Sequence, residues 1–222
     1  MKKIIWISSY PKSGNTWTRY FLSNYFFNKQ KINSDFNILN KIDKFPPYKI
    51  LQQLLSEDEI KESAYNISKY WHDIQLEIIK EKDDFVFLKN HNALVSIEGR
   101  NLTEERFSLA FIYLVRDPRD IAVSYSNFDK TLSIDKAIDR ITSENLYCHV
   151  TKKFPLDVEI LGSWKFNYYS WKSGVAEVPR IIIKYEDLIN NTFETKLKII
   201  DFLSQILNFK VDTNHIKYSI QQ

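Results

Sequence analysis

The chain holds 222 residues, 44% hydrophobic and 27% charged, which suits one domain with a substantial core. A net charge of +3, with lysines dispersed along the sequence, argues against nucleic-acid binding. A lone cysteine, Cys148, excludes an internal disulfide framework and fits a reducing compartment.

After Met1-Lys2-Lys3 comes an apolar run, Ile4-Ile5-Trp6-Ile7, which predicts a buried strand. The run breaks at Ser8-Ser9-Tyr10-Pro11, short of the about 7–15 apolar residues of a secretion signal. No later stretch approaches the roughly 18 apolar residues of a membrane-spanning helix. The expectation is a cytoplasmic protein without a membrane span.

Ser8 through Trp17 reads Ser-Ser-Tyr-Pro-Lys-Ser-Gly-Asn-Thr-Trp, and an amphipathic segment follows from Trp17 to Phe27. Strand, tight turn and helix in succession aim a helix N-terminus, with free N–H groups and the positive end of its dipole, at the sheet edge. Lys12 adds a mobile charge, Ser13, Asn15 and Thr16 add donors, and Gly14, one of 4 glycines, admits close backbone approach. Such a turn suits a phosphate or sulfate. It is not a Walker A loop, because Lys12 precedes the only glycine of the turn. For any one of these residues alone, a helix-capping surface turn is the plainer reading.

Polar Lys29 to Pro47, broken at Pro46-Pro47, reads as a loop over that site. From Ile50 to Lys82 the spacing of Leu51, Leu54, Leu55, Ile67, Trp71, Ile74 and Ile78 predicts helices covering the sheet. Phe85-Val86-Phe87-Leu88 predicts a second buried strand, with Lys89 and His91 on one face at its end. Carboxyl ends of parallel strands are where open α/β sheets bind ligands. Ala110 to Val115 is a third strand, after which Asp117 and Pro118 fit the N-cap and first residue of a helix running towards Phe128. Arg116 at the strand end and Ser124, about two turns into that helix, converge on one anion. Ser133 to Tyr147 predicts an amphipathic helix, Lys152 to Pro155 a loop and Arg180 to Tyr185 a fourth strand. Phe193 to Leu207 closes with a helix carrying the apolar stripe Leu197, Ile200, Leu203 and Leu207. Together these elements predict a single α/β domain over residues 1–222, three layers deep, with a mainly parallel central sheet flanked by helices.

The string Tyr10-Pro11-Lys12-Ser13-Gly14-Asn15-Thr16-Trp17 resembles the loop with which sulfotransferases of the cytosolic type, bacterial members included, grip PAPS (3′-phosphoadenosine-5′-phosphosulfate). Lys89-Asn90-His91 is similar to the family's strand-end segment, and Tyr113 through Tyr125 looks like its second cofactor motif. Gly162-Ser163-Trp164 with Trp171, and Tyr185-Glu186-Asp187-Leu188, resemble two supporting segments. The resemblance implies a fold like that of P-loop nucleotide kinases. It implies sulfuryl transfer from PAPS to a hydroxyl or amine of a small-molecule or glycan acceptor, with PAP as product and no metal. It also implies roles: His91 is the general base, with Lys12 and Lys89 against the transferring group. Lys12, Ser13, Gly14, Asn15 and Thr16 hold the 5′-phosphosulfate, and Trp17 stacks on adenine. Arg116 and Ser124 take the 3′-phosphate, and Tyr185 reaches the adenine side. Asn167 stands where many members carry a histidine.

The family pattern continues with a Ser-Phe segment under the adenine and a basic, glycine-containing loop, whereas this sequence ends at Gln222. It reads either as a truncated member or as one holding the 3′-phosphate by Arg116 and Ser124 alone. Two other readings stand beside transfer: a weak or inactive PAP/PAPS-binding remnant, and a small-molecule kinase, which the missing Gly-Lys-Ser/Thr disfavours.

Overall fold

Ile4–Ser9 forms β1, buried at every position, and the rest of the chain is arranged on either side of it. The computed structural model describes residues 3–28, 35–80, 84–145, 148–149 and 158–222. The turn after β1 leads into α1 (Asn15–Phe27). The stretch expected to be a loop to Pro47 is ordered where described: a 3₁₀ segment, Phe36–Lys41, precedes β2 (Asp43–Lys44), which adds a parallel edge strand to the sheet. Two residues are too few to show an alternating pattern, and their charged side chains suit an edge. Arg19 ties this segment to α1, donating to the Leu39 carbonyl at 3.0 Å and the Ile42 carbonyl at 2.6 Å.

The predicted helical region comes in pieces: α2 (Tyr48–Leu54), α3 (Glu57–Glu62), a 3₁₀ segment Ala64–Tyr70, and α4 (Trp71–Lys80). Caps explain the breaks. Ser56 and Glu59 form a capping box that starts α3, and Ser63 accepts from Tyr65 N–H to start the next segment. β3 (Val86–Asn90) pairs with β1, and a hairpin of β4 (Ser96–Ile97) and β5 (Arg100–Asn101) precedes β6 (Ser108–Val115). α5 (Pro118–Phe128) begins as its sequence predicts, with Asp117 accepting from Arg119 N–H and Pro118 in the first turn.

α6 (Ile134–Thr142) is shorter than the predicted Ser133 to Tyr147, because Ile141 is its last buried apolar residue before polar Ser143-Glu144-Asn145. The predicted loop Lys152 to Pro155 lies outside the described residues. β7 (Cys148–His149) and β8 (Val158–Glu159) form a short antiparallel pair, followed by α7 (Trp164–Ser173). The last strand, β9 (Arg180–Lys184), hands over to α8 (Tyr185–Asn190), and α9 (Thr192–Leu207) and α10 (Thr213–Gln221) close the chain.

The central sheet runs β2-β3-β1-β6-β9, every pair parallel. Alternation along β1 splits the core. Ile4 and Trp6 face Phe45, Trp71, Phe111 and Trp171, while Ile5 and Ile7 face Phe21, Leu22, Ile199, Leu203 and Ile216. The three-layer expectation therefore holds. No helix among the described residues is long and apolar enough to cross a membrane.

Candidate active site

Four parallel strands end on one edge of the sheet, and each hands over to an expected site residue. β1 leads to the turn ending at Gly14, β3 to His91, β6 to Arg116 and β9 to Tyr185. β1 sits between β3 and β6, the reversal point at which such sheets open a ligand crevice.

Within the turn, Lys12 (φ 69°) and Gly14 (φ 90°) take left-handed backbone. For Lys12 that costs about 1–2 kcal/mol, and Arg116 holds it there, its Nη1 donating to the Lys12 carbonyl at 3.0 Å. At Gly14 a Cβ would stand 2.7 Å from the Tyr185 ring, so only glycine admits this approach. α1 begins at Asn15, which leaves its first N–H groups without intrahelical acceptors. Ser13 Oγ is buried with no partner among the described residues. An orphaned hydroxyl beside free N–H groups fits an oxyanion such as phosphate or sulfate.

The expected side chains differ in how they are used. Asn15 is buried and committed: its Nδ2 donates to the Ile7 carbonyl at 3.0 Å and to Ser9 Oγ at 3.2 Å. It braces the end of β1, so what it offers an anion is its backbone N–H. Lys12 Nζ lies 4.0 Å over the Phe128 ring; burial, then the Arg116 charge, lower its pKa. Arg116 stacks 4.1 Å over Tyr185, and its Nε is buried and unpartnered among the described residues. Ser124 is half-buried on α5, and Thr16 is exposed. Trp17 is 44% exposed, which rules out core packing as its role and leaves a ring face for stacking.

Lys89 and His91 form a second cluster beside the turn. The His91 Nδ1 lies 2.7 Å from the Ser9 carbonyl and 3.2 Å from Ser9 Oγ. A carbonyl only accepts, so Nδ1 carries the proton and Nε2 keeps its lone pair. Burial, then the charge of Lys89, hold His91 at a pKa of about 3, so the ring is neutral. Its backbone is pinned as well. Asn167 Nδ2 donates to the His91 carbonyl and the Leu161 carbonyl, both at 3.0 Å, and Tyr113 OH donates to Asn167 Oδ1 at 2.9 Å. Asn167, which stands where many members of the resembled family carry a histidine, is thus a fully buried brace.

Two further members of this cluster were absent from the sequence reading. Glu159, 3% exposed, takes Lys89 Nζ at 3.2 Å and Lys44 Nζ at 3.3 Å. Burial pushes Glu159 up, but Lys89 and the other cations outweigh it and hold its pKa at about 2. Lys89, in turn, is lowered by burial against the opposing pull of Glu159. Glu159 had one visible signal, a lone carboxylate inside the apolar run Val158-Glu159-Ile160-Leu161. Lys44 had none, since its strand was read as loop.

The chain is 26% identical to Sulfotransferase 1B1 of Mus musculus over 202 residues, 91% of this chain and 58% of that protein. It is 22% identical to Amine sulfotransferase of Oryctolagus cuniculus over 205 residues, 92% of this chain and 57% of that protein. The chain thus spans less than two thirds of the curated relatives it matches. Among solved structures, mouse sulfotransferase SULT7A1 complexed with PAP superposes with a TM-score of 0.56 at 18% identity, covering 100% of this chain and 63% of that one. Retinol dehydratase in complex with androsterone and inactive cofactor PAP superposes at 0.58 with 16% identity, covering 98% and 63%. These likenesses show a shared fold. The sulfotransferase domain family matches residues 2–222, and the chain belongs to it.

Proposed function

We propose that the chain transfers a sulfuryl group from PAPS to a hydroxyl or amine of a small-molecule or glycan acceptor, with His91 as general base. The observation that carries this reading is the Nδ1–Ser9 hydrogen bond. It fixes the tautomer that leaves Nε2 free to accept a proton, at a strand end adjoining the anion turn. The two PAP-bound neighbours support the choice of nucleotide. When bound, PAPS supplies an activated sulfuryl group whose bond to the 5′-phosphate breaks.

The chain's own residues do the rest. The N–H groups of α1's first turn and Ser13 Oγ hold the 5′ end, and Lys12 counters the charge that collects there. Arg116 and Ser124 hold the 3′-phosphate, with Trp17 and Tyr185 on the base side. His91 Nε2 takes the acceptor proton, an effect worth about 10²–10⁴-fold. Lys89 faces the transferring group with its charge partly offset by Glu159.

Nucleotide titration and label transfer test the proposal. Adenosine 3′,5′-bisphosphate should raise the melting temperature more than AMP does. His91→Ala should lower label transfer from PAPS, across a panel of phenols, alcohols and amines, at least about 100-fold while nucleotide affinity stays near wild type. Equal shifts from both nucleotides would remove the 3′-phosphate site, and unimpaired transfer by the variant would remove the base.

A further inference from the structure

A cavity of about 340 Å³ opens beside the turn, lined by Thr16, Trp17, Tyr20, Phe21, Lys196 and Ser219 among others. That volume lies in the range of small-ligand pockets. Lys196 is its anomaly. It sits on α9 among the buried residues of that helix, only 2% exposed. Its Nζ stands 4.2 Å from the Phe21 ring centroid and 5.5 Å from that of Trp17. Among the described residues it has no ion pair and no hydrogen bond.

Solvation does not explain such a lysine, because the side chain is buried rather than reaching out to water. Cation–π contact with two rings offsets only part of the loss of hydration. What the ammonium lacks is a bonded acceptor among the described residues, although the cavity it lines also carries the hydroxyls of Thr16, Tyr20 and Ser219. Burial lowers its pKa to about 7.

The geometry points to Lys196 as a base-reading residue: its ammonium donates a hydrogen bond to a ring nitrogen of the purine stacked on Trp17. This rests on the nucleotide reading above and adds to it a specificity contact. An ammonium only donates, and the ring nitrogens N1, N3 and N7 of adenine only accept, so the pairing is of matched chemistry. Lysine here distinguishes a base with an acceptor at that edge from one without it.

The test uses the full chain, adenosine 3′,5′-bisphosphate and its 1-deaza, 3-deaza and 7-deaza analogues, each lacking one ring acceptor. Wild type should bind one analogue about 10-fold more weakly than the parent nucleotide, and Lys196→Met should bind that analogue and the parent alike. Lys196→Gln, which keeps a donor, should restore part of the difference. Lys196→Met should also melt no lower than wild type, since it removes an uncompensated buried charge. Binding of the parent nucleotide to Lys196→Met with wild-type affinity would overturn the inference and leave the proposed function standing. So would an equal loss with all three analogues. Failure of wild type to bind the parent nucleotide would overturn both.

Discussion

His91 shows how few contacts set the chemistry of one side chain. The Ser9 carbonyl fixes its tautomer, burial and Lys89 keep it neutral, and Asn167 holds its backbone. The proposed role as base needs a neutral ring, and burial beside Lys89 keeps it neutral. The expected outcome in a histidine NMR titration is one imidazole resonance, absent from His91→Ala, that shows no protonation step from pH 8 down to pH 5. The free group would titrate near 6.5. A step for that resonance near 6.5 would mean that His91 is solvated and that the Ser9 bond does not govern it. Glu159 acts on the same ring. It sits between Lys89 and Lys44, so it limits the positive charge that would otherwise press on the ring.

At the scale of elements, the turn joining β1 to α1 carries the sharpest constraint. Gly14→Ala would place a methyl 2.7 Å from Tyr185 while forcing φ near 90° on an L residue. The backbone alone costs about 1–2 kcal/mol. The methyl must also displace the ring on which Arg116 stacks. We expect urea unfolding to show a loss of at least about 1 kcal/mol and nucleotide affinity to fall about 10-fold or more. Unchanged affinity would show that Tyr185 and Arg116 tolerate the shift and that the turn is not the anion site. Elements with strong apolar runs, β1, β3 and β6, were legible in the sequence because burial on both faces leaves an unmixed signal. The cap of α5 was legible because Asp117-Pro118 is a local device. Other features depend on partners distant in the chain. β2 is two residues recruited by β3, and the buried face of α9 includes Lys196 and Ile199, whereas Leu197 and Leu207 of the predicted stripe stay half-buried. The turn, strand-end and second-motif residues at the sheet edge were legible as local strings. Their division into an Arg116–Lys12–Tyr185 group and a His91–Lys89–Glu159 group was not, because it depends on side-chain direction.

For the whole molecule, three buried groups, His91, Glu159 and Lys196, share a lowered pKa, and that direction sets where stability peaks. His91 is held at about 3 against 6.5 when free, so the unfolded chain takes up a proton that the folded chain refuses. Stability from this source is present above pH 6.5 and is lost as pH falls towards 3. Glu159 is held at about 2 against 4.5, which adds a second loss below pH 4.5. Lys196, at about 7 against 10.5, works the same way at higher pH: the unfolded lysine binds its proton more readily, so stability keeps rising from pH 7 towards 10. Each such proton contributes a slope of up to about 1.4 kcal/mol per pH unit. Tyr113 reverses the trend. Burial raises its pKa, so above pH 10, where the unfolded tyrosine ionises, stability falls. The maximum is therefore expected near pH 9–10, above the usual pH 5–8. Urea unfolding from pH 4 to pH 10.5 measures this directly. Wild type should gain stability steadily to about pH 9, and Lys196→Met should rise less steeply between pH 7 and 9, because one titrating amine is gone while Lys89, also lowered by burial, remains. A wild-type maximum at or below pH 7 would show that Lys196 is solvated in the folded chain and that the cavity beside Trp17 is open to water around its ammonium.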